Sequence, residues 1–218
     1  MLSPTEENYL KAIFKLSEKN AENISTNAIA KEIKTTAASV TDMLRKLAEK
    51  KLINYRKYKG VHLTRKGKGA AVMLIRNHRL WEVFLLEKLD FSWDQVHEVA
   101  EEMEHVRSPL LISRLEKFLG YPKYDPHGDP IPDTKGHINY HKEISLTELK
   151  AKEKGKVVGV VEQSANFLQY LDRINLAINS IVEVIEMNEY DNSRLIRVGE
   201  SQVFASEKVC GNLIVVKV

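Results

Sequence analysis

The sequence predicts a mainly α-helical protein with a winged helix-turn-helix at its N-terminus and a small β domain at its end. Three observations lead to this fold class. Apolar residues recur at helical spacing before residue 121. A short helix, a tight turn and a longer helix are followed at once by a hairpin pattern. After a proline-rich stretch at 121–142, short β-rich runs with polar turns are typical of a small barrel.

The N-terminal part contains the signals of three helices and a wing. Ser3–Glu6 forms a capping box with a proline at the first helical position, which predicts a helix start. A second helix at about 26–33 and a third at about 37–50 flank a polar turn. Two β-rich runs then surround Gly60 and predict a hairpin, the wing.

Three further helices are predicted before the prolines. The first begins after Thr64, and Gly67 and Gly69 are expected to weaken its first turn. The capping box Ser92–Gln95 opens the second, and Ser108-Pro109 opens the third. The expected spans are 65–89, 92–106 and 109–120, and the expected domains are 1–70, 71–142 and 143–218.

Charge is distributed unevenly along the chain. The net charge is +3, but residues 45–68 hold ten Lys or Arg and only Glu49 opposes them. Such density favours binding to DNA phosphates, with Arg56, Lys57 and Lys59 on the wing. No apolar run approaches the roughly 18 residues of a membrane span, so no membrane partner is expected. The single cysteine, Cys210, excludes an intramolecular disulfide and fits a reducing cytoplasm.

Two groups of metal-ligand residues follow the basic segment. His78 and Glu82 are four residues apart and would share one helical face. The second group would form one stripe, at about +40°, −20° and +80° from its first member. It comprises His97, Glu101, Glu104 and His105.

The donor types restrict the metal but leave the function open. Neither group has a thiol, which excludes a cysteine-rich zinc site, and imidazole with carboxylate fits divalent manganese, iron, cobalt, nickel or zinc. The histidines could also be incidental, in a winged-helix regulator that senses a small organic ligand. A hydrolytic metal centre is the other alternative. Because no further acid-base group or substrate loop is evident, we expect no enzyme.

The order of these motifs resembles the diphtheria toxin repressor family. The winged helix, His-Arg-Leu-x-Glu, His-x3-Glu-x2-Glu-His, Pro-x-Gly-x-Pro-Ile-Pro and the β domain occur in sequence over nearly the whole chain. The resemblance implies a homodimeric repressor in the cytoplasm that binds a double-stranded DNA operator and controls metal homeostasis genes. It implies Mn2+ or Fe2+ as effector, with Co2+, Ni2+ or Zn2+ able to substitute in vitro. It also implies an SH3-like, FeoA-like C-terminal domain.

The resemblance also implies three sets of site residues. A regulatory metal site would use Asn8, Glu101, Glu104 and His105. An ancillary site would use His78, Glu82 and His97, with Glu162 from the C-terminal domain. The DNA-facing residues would be Thr36, Ala38, Ser39 and Asp42, with Arg45 and the wing residues on phosphates.

Several positions depart from the family pattern. Iron-responsive members carry cysteine at the position of Glu101, so this chain is expected to lean towards manganese. Lys11 stands where small manganese regulators have a further glutamate ligand, which argues against their two-metal cluster. Asp125 and Asp129 replace polar residues that, with the equivalent of Arg79, hold an anion in the family.

Overall fold

The computed structural model describes residues 2–19, 24–55, 60–139 and 144–218. Its helices are α1 Pro4–Lys19, α2 Thr26–Glu32, α3 Ala37–Glu49, α4 Arg65–Leu89, α5 Val96–Met103, α6 Pro109–Phe118, α7 Ala165–Arg173 and α8 Glu207–Gly211. Its strands are β1 Ile53–Tyr55, β2 Val61–Leu63, β3 Ile144–Ser145, β4 Lys154–Val160, β5 Ile181–Met187, β6 Arg194–Val198, β7 Ser201–Ala205 and β8 Leu213–Lys217. Among the described residues, no helix is both long and apolar enough to cross a membrane.

The chain forms two compact units that interleave along the sequence. The first unit comprises Met1–His78, Glu101–Ile112 and Pro132–His137. The second comprises Arg79–Ala100, Ser113–Ile131 and Ile138–Val218.

The first unit contains the predicted helix-turn-helix. Apolar residues spaced at three and four positions turn one face of α1, α2 and α3 inward. The Thr36 hydroxyl caps α3 by accepting the Ser39 N–H at 3.2 Å. The fully buried residues of this core are Leu10, Ile13, Ile29, Val40, Leu44 and Leu47.

The wing follows α3 directly. β1 pairs antiparallel with β2, with Asn54 opposite His62, and Ile24 forms a bridge with Val61. The predicted phosphate contacts Arg56, Lys57 and Lys59 lie outside the described residues.

Gly67 is a packing requirement at the start of α4. A Cβ on this residue would lie 1.9 Å from the carbonyl oxygen of Leu52, so no larger side chain fits without backbone movement. The Thr64 hydroxyl accepts the Gly67 N–H at 3.1 Å and caps the helix. The expected weakness of this first turn is therefore offset by a cap and by the close approach of the wing.

The second ligand group does not lie on one helical stripe, so that prediction is wrong. α5 begins at Val96 and ends at Met103, which leaves Glu104 and His105 in the turn that follows. The Val106 N–H donates to Met103 O at 3.1 Å and tightens this turn. Contacts of Glu104 with Lys11 and of His105 with Glu7 hold both residues in this turn.

The second unit holds a six-stranded antiparallel sheet in the order β3-β8-β4-β5-β6-β7. Its core includes Val157, Leu168, Val182, Ile196 and Val215. The sequence did not indicate β6, because Arg194 and Arg197 interrupt its apolar residues. Arg194 is nevertheless buried, since its guanidinium donates to the carbonyl oxygens of Asn192 and Thr147.

A proline-rich loop packs against β4 in this unit. His127 O accepts the Val160 N–H at 3.0 Å. Gly128 has φ +91°, and a Cβ there would lie 1.8 Å from Val158 O. Only glycine satisfies both the left-handed backbone and this close approach, which fixes the position of the adjoining His127.

Candidate functional site

Helix α1 faces the turn after α5 with three polar side chains. Glu7, Asn8 and Lys11 lie within an arc of about 100° on α1. Lys11 contacts Glu101 and Glu104, and Glu7 contacts His105, each more than eighty-five residues later in the chain. We call these six residues the α1 cluster; all belong to the first unit.

Lys11 lies between the two carboxylates of the α1 cluster. Its Nζ is 2.6 Å from Glu101 Oε1 and 2.7 Å from each carboxylate oxygen of Glu104. The Lys11 side chain is 8% exposed and that of Glu104 is fully buried. His78 Nδ1 lies 2.8 Å from Glu104 Oε2. Glu104 is therefore the centre of a dense group of nitrogen and oxygen atoms.

His105 is oriented by a carboxylate of α1. Its Nδ1 lies 2.7 Å from Glu7 Oε2, and its Nε2 lies 3.8 Å from Glu104 Oε1. Since a carboxylate accepts, Nδ1 donates to Glu7, which leaves Nε2 directed towards Glu104 as the nitrogen available to a metal. Arg107 holds the other oxygen of Glu7 at 3.2 Å. A histidine held by a carboxylate in this way is the usual arrangement behind a metal-bound imidazole.

The α1 cluster fits a divalent metal ion. Within the part of the chain that the structure describes, Asn8 Oδ1 is buried without a hydrogen-bond partner. A buried acceptor of this kind is costly unless it binds a donor or a cation. An amide oxygen, two carboxylates and the Nε2 of His105 are the kinds of nitrogen and oxygen donors that manganese and ferrous iron accept.

A second cluster lies in the second unit. Glu82 Oε1 is 3.1 Å from His97 Nδ1 and 3.7 Å from His127 Nδ1. Ligand atoms of Glu82, Asp125 and His127 all lie within 4.8 Å of one another, and all three residues are buried. His127 Nε2 lies 2.8 Å from the carbonyl of Trp93. That nitrogen must therefore donate, which leaves Nδ1 directed at Glu82.

The charges of this second cluster are strongly perturbed. Burial raises the pKa of Asp125 from 3.8 to about 8, and the negative charges of Glu82 and Asp129 add to the rise. Burial opposes protonation of His127, but its hydrogen bond to Glu82 and the nearby carboxylates outweigh this and raise its pKa. Raised pKa values of a buried carboxyl and of the imidazole beside it are typical of a functional group of charges that a bound cation would neutralise.

Arg79 contacts both aspartates of the proline-rich loop. Its Nε lies 3.4 Å from Asp125 Oδ2, its Nη2 lies 3.3 Å from Asp129 Oδ2, and its Nη1 donates to Pro130 O. Carboxylates of the chain thus lie where the family resemblance implied a bound anion.

Glu162, a predicted ancillary ligand, is directed elsewhere. Its oxygens contact the Ser164 hydroxyl at 2.8 Å and Lys208 Nζ at 3.6 Å. The neighbouring Gln163 donates to Asp129 Oδ2 at 3.1 Å. The structure therefore brings Glu82 and His97 together, places His78 against Glu104, and leaves Glu162 outside the Glu82 group.

The predicted DNA-facing residues form an exposed surface at the start of α3. Thr36, Ala38, Ser39, Asp42 and Arg45 are all exposed. Arg45 lies 3.3 Å from Asp42, but both side chains are about two-thirds exposed, so this ion pair contributes little to stability. An exposed polar surface at the start of a recognition helix suits contact with a duplex.

Sequence reasoning missed Glu7 and His127, and did not identify Asp125 as a possible ligand. Glu7 reaches His105 through tertiary contact across 98 positions, which no local spacing encodes. The only signal for the other two was an aspartate and a histidine within one proline-rich loop.

Comparison with known proteins gives matches along most of the chain. Residues 1–61 match the family model "Iron dependent repressor, N-terminal DNA binding domain". Residues 64–133 match "Iron dependent repressor, metal binding and dimerisation domain", and residues 144–217 match "FeoA domain". A solved structure, "Manganese-dependent transcriptional repressor complex with manganese", is 30% identical with a TM-score of 0.86. The match covers 98% of this chain and 100% of that one.

Two curated relatives match in part. The iron-dependent repressor IdeR of Mycobacterium leprae is 31% identical over 131 residues, which are 60% of this chain and 56% of that protein. A probable metal transport system membrane protein of Chlamydia trachomatis serovar D is 51% identical over 70 residues. These make up 32% of this chain and 16% of that protein. The chain thus spans about half or less of the length of these two relatives.

Proposed function

The chain belongs to the iron-dependent repressor family, which includes the diphtheria toxin repressor, and we propose that it is a homodimeric, DNA-binding repressor controlled by Mn2+ or Fe2+. The family is one of transcriptional repressors, not of enzymes. The observation that carries the proposal is the α1 cluster, in which the first helix contacts the donor residues after α5. The similarity of the chain to a manganese-dependent repressor supports manganese as the first metal to test.

The regulatory metal would be held by Asn8, Glu101, Glu104 and His105. The metal supplies a divalent charge that binds these donors together. The chain's own contribution is geometric: Asn8 is on α1, and α1 packs with α2, next to the recognition helix α3. Fixing α1 would therefore hold the spacing of the two recognition helices of a dimer near the roughly 34 Å of one DNA turn.

The remaining predicted features complete the proposal. We propose an ancillary centre built on Glu82 and His97, to which Asp125 and His127 add donors; His78 and Glu162 stay predicted ligands. The exposed Leu111 and Phe118 share a face of α6 and suit a dimer interface. Domains at 1–70, 71–142 and 143–218 are supported by the three family matches. A repressor of this kind would act in the cytoplasm.

The proposal is tested by DNA binding as a function of metal. A labelled duplex is selected from random sequence in the presence of Mn2+, and fluorescence anisotropy then follows binding with Mn2+, with anaerobic Fe2+ and with a chelator. We expect either metal to strengthen binding and the chelator to reverse it. Equal binding by the wild type with metal and with chelator would refute the proposal.

Two histidine variants give the matched comparison. His105→Ala removes a donor of the α1 cluster, and we expect it to abolish the effect of metal while the helical content remains. His137→Ala is the control, because the His137 side chain is 71% exposed and, within the part of the chain that the structure describes, is hydrogen-bonded to Asp133 four residues earlier. A metal response that survives in His105→Ala would remove this residue from the switch.

A further inference from the structure

Lys11 brings a positive charge between two carboxylates of the first unit, one of which is fully buried. Its ammonium contacts three carboxylate oxygens from Glu101 and Glu104 at 2.6 to 2.7 Å. The Glu104 side chain is fully buried, so its negative charge needs a positively charged group in direct contact. In the metal-free chain this group is Lys11, a cation attached to α1.

The same carboxylates cannot serve Lys11 and a divalent metal equally. The two glutamates carry two negative charges, which one divalent ion would neutralise alone. Keeping the ammonium as well would leave an excess positive charge, with two cations a few ångströms apart in a poorly solvated group. Metal binding therefore requires the ammonium to withdraw. The four-carbon lysine stem is flexible enough to move its charge towards water.

We propose that Lys11 is a tethered cation that competes with the divalent metal for Glu101 and Glu104, and so sets the metal concentration at which the chain responds. This inference rests on the proposed regulatory site. It assigns a role to a residue that is not itself a ligand. In the metal-free state Lys11 holds the carboxylates in place, and in the metal-bound state it is displaced.

A neutral variant of matched length provides the direct test. Manganese binding to the full-length metal-free chain is measured by calorimetry for the wild type, Lys11→Met and Lys11→Arg. We expect Lys11→Met to bind at least about tenfold more tightly, equivalent to about 1.4 kcal/mol. Lys11→Arg should stay near the wild type, because it keeps the competing charge.

Lys50→Met is the matched control. Lys50 also forms a lysine–glutamate pair in the first unit, with Glu6 at 2.6 Å, and neither residue of this pair belongs to the α1 cluster. Its removal should leave manganese affinity within about twofold of the wild type. Thermal melting adds a second readout: Lys11→Met should melt lower than the wild type without metal, and the difference should disappear with saturating Mn2+.

A labelling experiment on the wild type keeps the proposal testable if Lys11→Met does not fold. Lysine acylation is mapped by mass spectrometry with and without Mn2+. Lys11 should be protected in the metal-free chain and become reactive with metal, while Lys50 should be unchanged. Equal protection of Lys11 in both states would overturn the proposal.

The outcomes separate this inference from the proposed function. If Mn2+ binds the wild type and a folded Lys11→Met with equal affinity, or the variant more weakly, competition is refuted and the metal site stands. If Mn2+ binds only Lys11→Met, competition is supported, and Lys11 prevents metal binding in the wild type. If Mn2+ binds neither, both proposals fail.

Discussion

Glu104→Gln tests how the metal-free first unit is held together. The substitution keeps the shape of a fully buried side chain and removes its charge. It weakens two contacts with Lys11 Nζ, each at 2.7 Å, and one with His78 Nδ1 at 2.8 Å. Lys11 then depends on Glu101 alone.

The expected cost follows from these contacts. Removing one partner of a buried ion pair costs about 3–5 kcal/mol. Two features reduce this value here: the glutamine carbonyl still accepts one hydrogen bond, worth about 1 kcal/mol, and Glu101 remains 2.6 Å from Lys11. We therefore expect the metal-free variant to lose about 2 kcal/mol of unfolding free energy.

Urea unfolding of the metal-free proteins, followed by circular dichroism, measures the loss. Tryptophan fluorescence would report on the second unit, because the tryptophans at 81 and 93 both lie there. Hydrogen exchange of the α1 amides therefore localises the loss of stability to the first unit. Lys11→Met and the variant with both substitutions complete a double-mutant cycle, from which we expect a coupling energy between Lys11 and Glu104 of at least about 1 kcal/mol. A Glu104→Gln protein within about 0.5 kcal/mol of the wild type, or strictly additive effects, would refute the reasoning.

Three further predictions follow from single sites. Gly67→Ala should destabilise the chain by about 1–3 kcal/mol, because its Cβ meets a backbone oxygen at 1.9 Å, whereas Gly69→Ala, with open space around it, should be neutral or stabilising in the same urea assay. The metal-free wild type should lose unfolding free energy as the pH rises from about 4 towards 8, because the raised pKa of Asp125 means that the folded state holds a proton that the unfolded state releases. Asp125→Asn should flatten this dependence of stability on pH. An unchanged dependence would contradict the assignment. Glu7→Gln should weaken manganese binding about 10- to 100-fold by loosening His105, and calorimetry showing wild-type affinity would exclude that role.

The fold was predictable where it depends on local pattern. The helix-turn-helix follows from caps and periodic apolar residues, and Thr36 caps α3 as its position suggests. The end of α5 was placed too late because helical spacing continued through Glu104 and His105. Tertiary contacts with α1 hold these two residues in a turn instead.

The candidate sites were predictable in residue type but not in arrangement. Histidine and glutamate spacing indicated most of the candidate donors of both clusters, but not Asn8, Asp125 or His127. The contact between Lys11 and Glu104 spans 93 positions, and the position of His127 depends on a loop packed against β4. Neither relation leaves a periodic signal, so only the three-dimensional structure could reveal that a lysine contacts the candidate ligands Glu101 and Glu104.

The central claim is that metal occupancy of the α1 cluster and DNA binding are coupled. The most direct measurement is the manganese affinity of the full chain with and without its selected duplex. Thermodynamic reciprocity requires DNA to tighten manganese binding by the same factor by which manganese tightens DNA binding, and we expect about fivefold or more. A manganese affinity that DNA leaves unchanged would contradict the account.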